Sequence, residues 1–277
     1  MDHRRPRGSV GRITRRGFLR GSAAGLGALA AGSAASALAP VSRKPNLLLI
    51  LCDQMNLDAL SCLGNPHVHT PHLDRLAAQG TLFLESHTTN PVCSPARSSL
   101  MTGRMPVETG VIQNDLPTRP GLPHLGEWLR DQAGYEAVYC GKWHLSPPPN
   151  RCGFRVLPGQ GGQGAADDYW VSRSCSAYLR HYAARPARPP LVMVASYLQP
   201  HDICYWMIYP DTLVSHTPLF PAVMNHLPAL PPNHRSRPPG PAAVGTGYDR
   251  FATDAQWHYY LYCYYRMVEM LDSDVGR

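Results

Sequence analysis

Lysine is almost missing from this chain. Among 26 basic residues in 277, only Lys44 and Lys142 are lysines, so each is a candidate for a particular task. Charged residues of all kinds make up only 16% of the chain. The formal charge of +7 suggests a polyanion partner, yet it is concentrated at one end. Residues 1–39 carry seven arginines (Arg4, Arg5, Arg7, Arg12, Arg15, Arg16 and Arg20) and one acid, Asp2, which leaves 19 basic against 18 acidic residues in the remainder. That balance excludes a nucleic-acid partner held by bulk charge. Among the eight cysteines, at 52, 62, 93, 140, 152, 175, 204 and 263, no CxxC pair or His/Cys cluster suggests a zinc module. A structural zinc module is therefore not expected. After residue 38 no apolar run approaches the roughly 20 residues that cross a bilayer, so no stable membrane anchor is expected there.

What the N-terminus does have reads as an address. Thr14-Arg15-Arg16-Gly17-Phe18-Leu19-Arg20 resembles the twin-arginine export consensus. A mildly apolar stretch rich in Ala and Gly covers 21–38, and Ala37-Leu38-Ala39 fits an A-x-A cleavage site. Residues 1–39 are therefore expected to be a twin-arginine-type signal peptide, and the protein to be periplasmic or secreted. Twin-arginine systems carry folded proteins, which suits an enzyme that is modified or metallated before export. Export and an even cysteine count permit disulfides, whereas folding before export argues against a disulfide framework. Cys52 and Cys140 lie inside apolar runs and are expected as buried thiols.

Residues 44–277 alternate between strand and helix signals. Strands are predicted at 46–52 (NLLLILC), 135–140 and 191–196 (LVMVAS), with a further strand-like run at 81–85. A helix is predicted over 70–80, with Thr70 as N-cap, Pro71 in the first turn and Gly80 at its close. Further helices are expected at 124–133, 167–184 and 256–271. The last is rich in tyrosine, and its aromatics are expected to pack rather than to bind a cofactor. Residues 153–164 are Gly-rich and read as loop, and 210–241 are too dense in proline for much regular structure. This order implies an α/β fold, a mostly parallel central sheet with helices on both faces. Ligands in such sheets bind beyond the carboxyl ends of the strands. Three predicted strands end at polar candidates: Asp53, Lys142-x-His144 and His201.

The run Asn90-Pro91-Val92-Cys93-Ser94-Pro95-Ala96-Arg97-Ser98-Ser99-Leu100-Met101-Thr102-Gly103-Arg104 stands out. Pro95 suits the first turn of a helix, where its missing N–H costs nothing. Cys93 is then at the helix N-terminus, where free N–H groups and the dipole favour anions. Arg97 lies about one turn further on, toward the same end. A sulfate or phosphate ester would meet positive potential there.

Cys93-Ser94-Pro95-Ala96-Arg97 resembles the Cys-x-Pro-x-Arg maturation signature of the sulfatases, in which the cysteine is oxidised to formylglycine. The resemblance extends in order through Cys52-Asp53-Gln54, the Thr70-Pro71-x-Leu73-Asp74-x-Leu76-Ala77 helix, Gly141-Lys142-Trp143-His144-Leu145 and Pro200-His201-Asp202. From residue 44 onward the chain looks like the N-terminal part of a sulfatase of the alkaline-phosphatase-like superfamily. The resemblance implies that Asp53, Gln54 and the converted Cys93 hold Ca2+, or alternatively Mg2+ or Mn2+. It implies that formylglycine at Cys93 is the nucleophile and that Arg97 holds its hydroxyl. It also implies that Lys142 binds sulfate oxygens, that His144 acts on the formylglycine diol, and that His201 binds sulfate or protonates the leaving group. The implied partners are a sulfate-ester small molecule or saccharide as substrate and a formylglycine-generating maturase.

Two departures bear on this expectation. Many sulfatases have a second aspartate where Gln54 stands; an amide oxygen can still ligate, with one negative charge fewer. Asp-Gln at this place is also frequent in phosphonate monoester and phosphodiester hydrolases, which share the formylglycine signature and form an alternative reading. The family's second metal-ligand pair follows an Asp-x-x-Val-Gly helix. Here Asp272-Ser273-Asp274-Val275-Gly276 is followed only by Arg277. The expectation is a chain truncated at its carboxyl side, with an incomplete sheet and a weakened metal clamp. An inactive, truncated sulfatase-like chain is the third reading.

Overall fold

In the computed structural model, residues 44–159, 162–208, 221–234, 236 and 253–277 are described. The predicted signal peptide at 1–39 and much of the proline-dense 210–241 segment lie outside them. Residues 44–277 form one unit, built on four parallel strands. These are β1 (Leu47–Asp53), β2 (Glu136–Gly141), β3 (Arg155–Val156) and β4 (Leu191–Pro200), in the spatial order β1-β4-β2-β3. The helices that position the site are α1 (Pro71–Gln79), α2 (Cys93–Thr102), α3 (Leu125–Ala133), α4 (Gly164–Ala184) and α5 (Asp254–Val275).

β4 is the centre of the sheet, paired with β1 on one side and β2 on the other. All ten of its residues are buried. Their side chains alternate between two cores, as the period of two requires. Val192 and Val194 join Met101, Leu129, Tyr139, Trp143 and Phe154 under α2 and α3. Met193 and Ala195 join Val138, Cys140, Val171, Cys175 and Leu271 under α4 and α5. The expected mostly parallel sheet with helices on both faces is therefore the one observed.

Three sequence expectations are corrected here. Residues 81–85 are not a strand: they form a short apolar run, but no described strand pairs with them, and Phe83 is left 72% exposed. Cys52 is exposed rather than buried. It lies on β1, the edge strand, and shares a face with Leu48, which is also exposed. The 153–164 segment contains the two-residue strand β3 and the start of α4 rather than loop alone. Cys140 is buried as expected, and all eight cysteines are free thiols. No described helix is long and apolar enough to cross a membrane.

Candidate active site

The carboxyl ends of β1, β2 and β4 meet the N-terminus of α2 at one rim. β1 ends in a register slip: Leu51 pairs with Ser196, whereas Asp53 pairs with Pro200. β2 ends at Gly141, whose φ of 94° only glycine adopts easily. A Cβ there would collide with the Ser196 carbonyl, so glycine lets β2 turn against β4 and deliver Lys142 to the rim. α2 begins at Cys93, after an extended Val92, and closes on Gly103 in the left-handed conformation. Cys93 is thus at the helix N-terminus, as its sequence context predicts.

Asp53 ties these ends together. Its Oδ2 accepts from Arg97 Nη2 at 3.0 Å and lies 2.7 Å from Lys142 Nζ. Its Oδ1 faces Cys93 Sγ at 3.7 Å. Lys142 Nζ is also 3.7 Å from Cys93 Sγ, and His201 Nε2 lies 3.8 Å from it. One carboxylate between two cations leaves a net positive charge, to which the α2 dipole adds. An anionic ester is favoured at this place.

The main chain holds this set in position. The Lys142 carbonyl accepts from Arg97 Nη1 at 2.6 Å, Tyr139 Oη at 2.6 Å and Ser196 Oγ at 2.7 Å. Ser94 Oγ donates to the His144 carbonyl at 2.7 Å, and the Ser94 N–H donates to Asn114 Oδ1 at 2.9 Å. His201 follows β4 on a turn fixed by two carboxylates. Asp202 accepts from the N–H groups of Gly164 and Ala165 at the start of α4, at 3.1 and 2.8 Å. Asp168 accepts from the N–H groups of Leu198 and Gln199, at 2.8 and 2.7 Å.

Five residues singled out by sequence therefore come together: Asp53, Cys93, Arg97, Lys142 and His201. Two stand at the margin. His144 has a positive φ of 54° and its ring lies 3.8 Å from Asp115 Oδ1. Gln54 also has a positive φ, 65°. Its carbonyl accepts from Tyr264 Oη at 2.9 Å, and it lines a cavity of about 310 Å³ with Asn56, Tyr260 and Tyr264. Sequence reasoning missed Ser196, Tyr139, Asn114 and Asp115. They act through hydrogen bonds to backbone or to the far rim, which leave no periodic signal.

The electrostatics follow from burial and from the two cations. Burial works against the Asp53 charge, but the Lys142 hydrogen bond and the charges of Lys142 and Arg97 prevail and hold its carboxyl below the ordinary value. Burial and the Asp53 charge push the Cys93 thiol up. Burial and the Lys142 charge push both His201 and His144 down, so each favours the neutral imidazole. A cavity of about 660 Å³ lined by His67, His69, His226 and Arg266 shares no residue with this cluster. Its size is no argument for chemistry there.

The family model described as Sulfatase matches residues 45–277. The chain belongs to the sulfatase family. Within it, the sulfatase chain is 34% identical over 161 residues to an ulvan-active sulfatase of Formosa agariphila, covering 58% of this chain and 31% of that protein. It is 38% identical over 180 residues to the N-acetylgalactosamine-6-sulfatase of Canis lupus familiaris, covering 61% of this chain and 31% of that protein. The solved structure of a 2-O GAG sulfatase superposes with a TM-score of 0.64 at 23% identity, over 84% of this chain and 53% of that one. The likeness shows the fold, the alkaline-phosphatase-like one expected from sequence. The match spans about a third of the length of these curated sulfatases and about half of the solved chain.

Proposed function

We propose that this protein hydrolyses sulfate esters of a small molecule or saccharide through a formylglycine made from Cys93. The observation that carries the reading is the meeting of Cys93, at a helix N-terminus, with Asp53, Arg97, Lys142 and His201. Lys142 Nζ binds the sulfate oxygens and offsets their charge. Arg97, held by the Lys142 carbonyl and Ser196 Oγ, keeps Asp53 ionised and orients the hydroxyl that replaces the thiol. His201, a neutral imidazole whose Nε2 faces the Cys93 position, hydrogen-bonds a sulfate oxygen or the leaving oxygen. His144 takes a proton from the hydrated aldehyde as sulfate departs. The named actions of the relatives on ulvan and on N-acetylgalactosamine 6-sulfate support a sulfated saccharide as the substrate class.

A divalent cation would supply further charge neutralisation. Calcium, magnesium and manganese take about six or more oxygen ligands. With Cys93 as a thiol, the cluster offers a sulfur, an imidazole and one free carboxylate oxygen. That set does not fit a hard cation. In the converted form oxygen replaces the sulfur, and Asp53 and formylglycine would be donors, whereas Gln54, the third donor the resemblance implies, lines another cavity with Tyr260 and Tyr264. We also propose that residues 1–39 direct twin-arginine export to the periplasm or medium, on the strength of Arg15-Arg16 and Ala37-Leu38-Ala39. A maturase acting before export is the partner this requires.

The mass of the peptide spanning residues 93–97 tests the reading. Formylglycine makes it about 18 Da lighter than the thiol form, and an unmodified thiol in protein purified from its own cells would overturn it. Gln54 favours a second reading, a phosphonate monoester or phosphodiester hydrolase. Aryl sulfate turnover well above aryl phosphonate turnover supports the sulfatase; the reverse ranking supports the alternative.

A further inference from the structure

As encoded, the Cys93 cluster has the dimensions of a different kind of metal site. Asp53, Cys93 and His201 each offer one ligand atom, and these atoms lie within 4.8 Å of one another. Sγ to Oδ1 is 3.7 Å and Sγ to Nε2 is 3.8 Å. Around a tetrahedral zinc, with Zn–S about 2.3 Å and Zn–N or Zn–O about 2.0 Å, such edges measure about 3.5 Å. The two edges to Sγ need to contract by only a few tenths of an ångström, and the carboxylate oxygen and Nε2 already lie within 4.8 Å of each other.

We infer that the Cys93-thiol form of this protein binds a borderline-soft divalent ion, zinc or cobalt, through Asp53 Oδ1, Cys93 Sγ and His201 Nε2, with a fourth position open to water. Thiolate and imidazole select such ions over calcium. The partners of the ligands suit the role. Asp53 Oδ2 stays with Arg97 and Lys142, which fix the carboxylate and leave Oδ1 free. His201 Nδ1 lies 3.6 Å from Cys204 Sγ. A proton on Nδ1 donated to that sulfur leaves the Nε2 lone pair for the metal, as metal-bound histidines usually require. On binding, the Sγ–H bond breaks, the proton passes to solvent and the Sγ–metal bond forms, with no change of oxidation state. Lys142 and Arg97 oppose the incoming charge, so the site binds less tightly than a structural zinc site. Zinc capture and conversion of Cys93 then compete for one sulfur. The inference concerns the chain before conversion and stands apart from the sulfatase reading.

The full chain, expressed without a maturase and shown by peptide mass to carry the Cys93 thiol, is titrated with Co2+ under anaerobic reducing conditions. A sulfur-to-cobalt absorption band saturating at one ion per chain is expected, displaced by Zn2+ and absent in Cys93→Ser. His201→Ala should weaken binding at least tenfold, while Cys204→Ser should keep the band. No such band, or a band that survives Cys93→Ser, overturns the inference. A readout on the unmutated protein guards against a misfolded variant. Zn2+ should slow alkylation of Cys93 by iodoacetamide at least tenfold, read peptide by peptide; an unchanged rate counts against the site. Neither result touches sulfate-ester turnover, which is measured on converted protein.

Discussion

The two sides of the Cys93 site are built differently. On one side Asp53, Arg97, Lys142 and Ser196 form a closed set, with Asp53 and Lys142 side chains each 11% exposed and both Arg97 and Ser196 held by the Lys142 carbonyl. On the other side His144 and Asp115 face each other across 3.8 Å, with side chains 35% and 88% exposed. Charges in the buried wall are poorly screened and cannot re-pair once a partner is lost. Charges at the open rim are screened and replaceable by water. The wall thus decides whether the site exists, and the rim adjusts how it works.

Cys93, where the two sides meet, is the sharpest probe. Cys93→Ala should lower sulfate-ester turnover by about 10³-fold or more while leaving the fold intact, because the proposed nucleophile position is gone. Turnover within tenfold of the parent would remove Cys93 from the mechanism. The wall itself is broken by Arg97→Met, which leaves Asp53 to Lys142 alone and strips two donors from Ser196 and the Lys142 carbonyl. Unfolding free energy in urea should fall by about 3–5 kcal/mol; a loss below about 1 kcal/mol would make the wall no firmer than the rim.

Behind the wall, Asp168 gives a pH-dependent comparison. Burial, opposed by the Leu198 and Gln199 N–H groups, raises its pKa from 3.8 to about 6. The folded state then binds the extra proton between pH 3.8 and 6, so stability falls as pH rises through that window and levels off above it. The span is about 3 kcal/mol. Asp168→Asn should flatten this slope in urea midpoints, and an unchanged slope would assign it to another group. The smallest effect belongs to the rim. Asp115→Asn should change stability by less than about 1 kcal/mol and turnover by only a few-fold; a large loss in either would erase the contrast.

Much of this arrangement is legible in the sequence. The apolar runs at 46–52, 135–140 and 191–196 are β1, β2 and the body of β4, because buried parallel strands need unbroken apolar sequence. α1 and α3 fall within a residue of expectation, since Thr70-Pro71, Gly80 and Gly134 punctuate them clearly. β4 runs four residues beyond its apolar stretch, to Pro200, because Asp168 binds the backbone there. α4 starts at Gly164 rather than 167 because Asp202 caps it from another element. Residues 81–85 show the opposite case, a strand pattern without a described partner. The five clustered site residues were legible through motif and strand-end position. The hydrogen bonds of Tyr139 and Ser196 to the Lys142 carbonyl depend on tertiary contact and had no local signature.

The placement of the two lysines has a practical consequence. Lys44 is exposed and holds only the Ala133 carbonyl, at 2.7 Å. Lys142 is held against Asp53 beside the Cys93 sulfur. An amine-directed label therefore meets two very different side chains and no others in the chain. The first reports the solvent, and the second reports whatever fills the space above Cys93. The ratio of their labelling rates is a built-in occupancy gauge that works with any anion and needs no knowledge of the natural substrate.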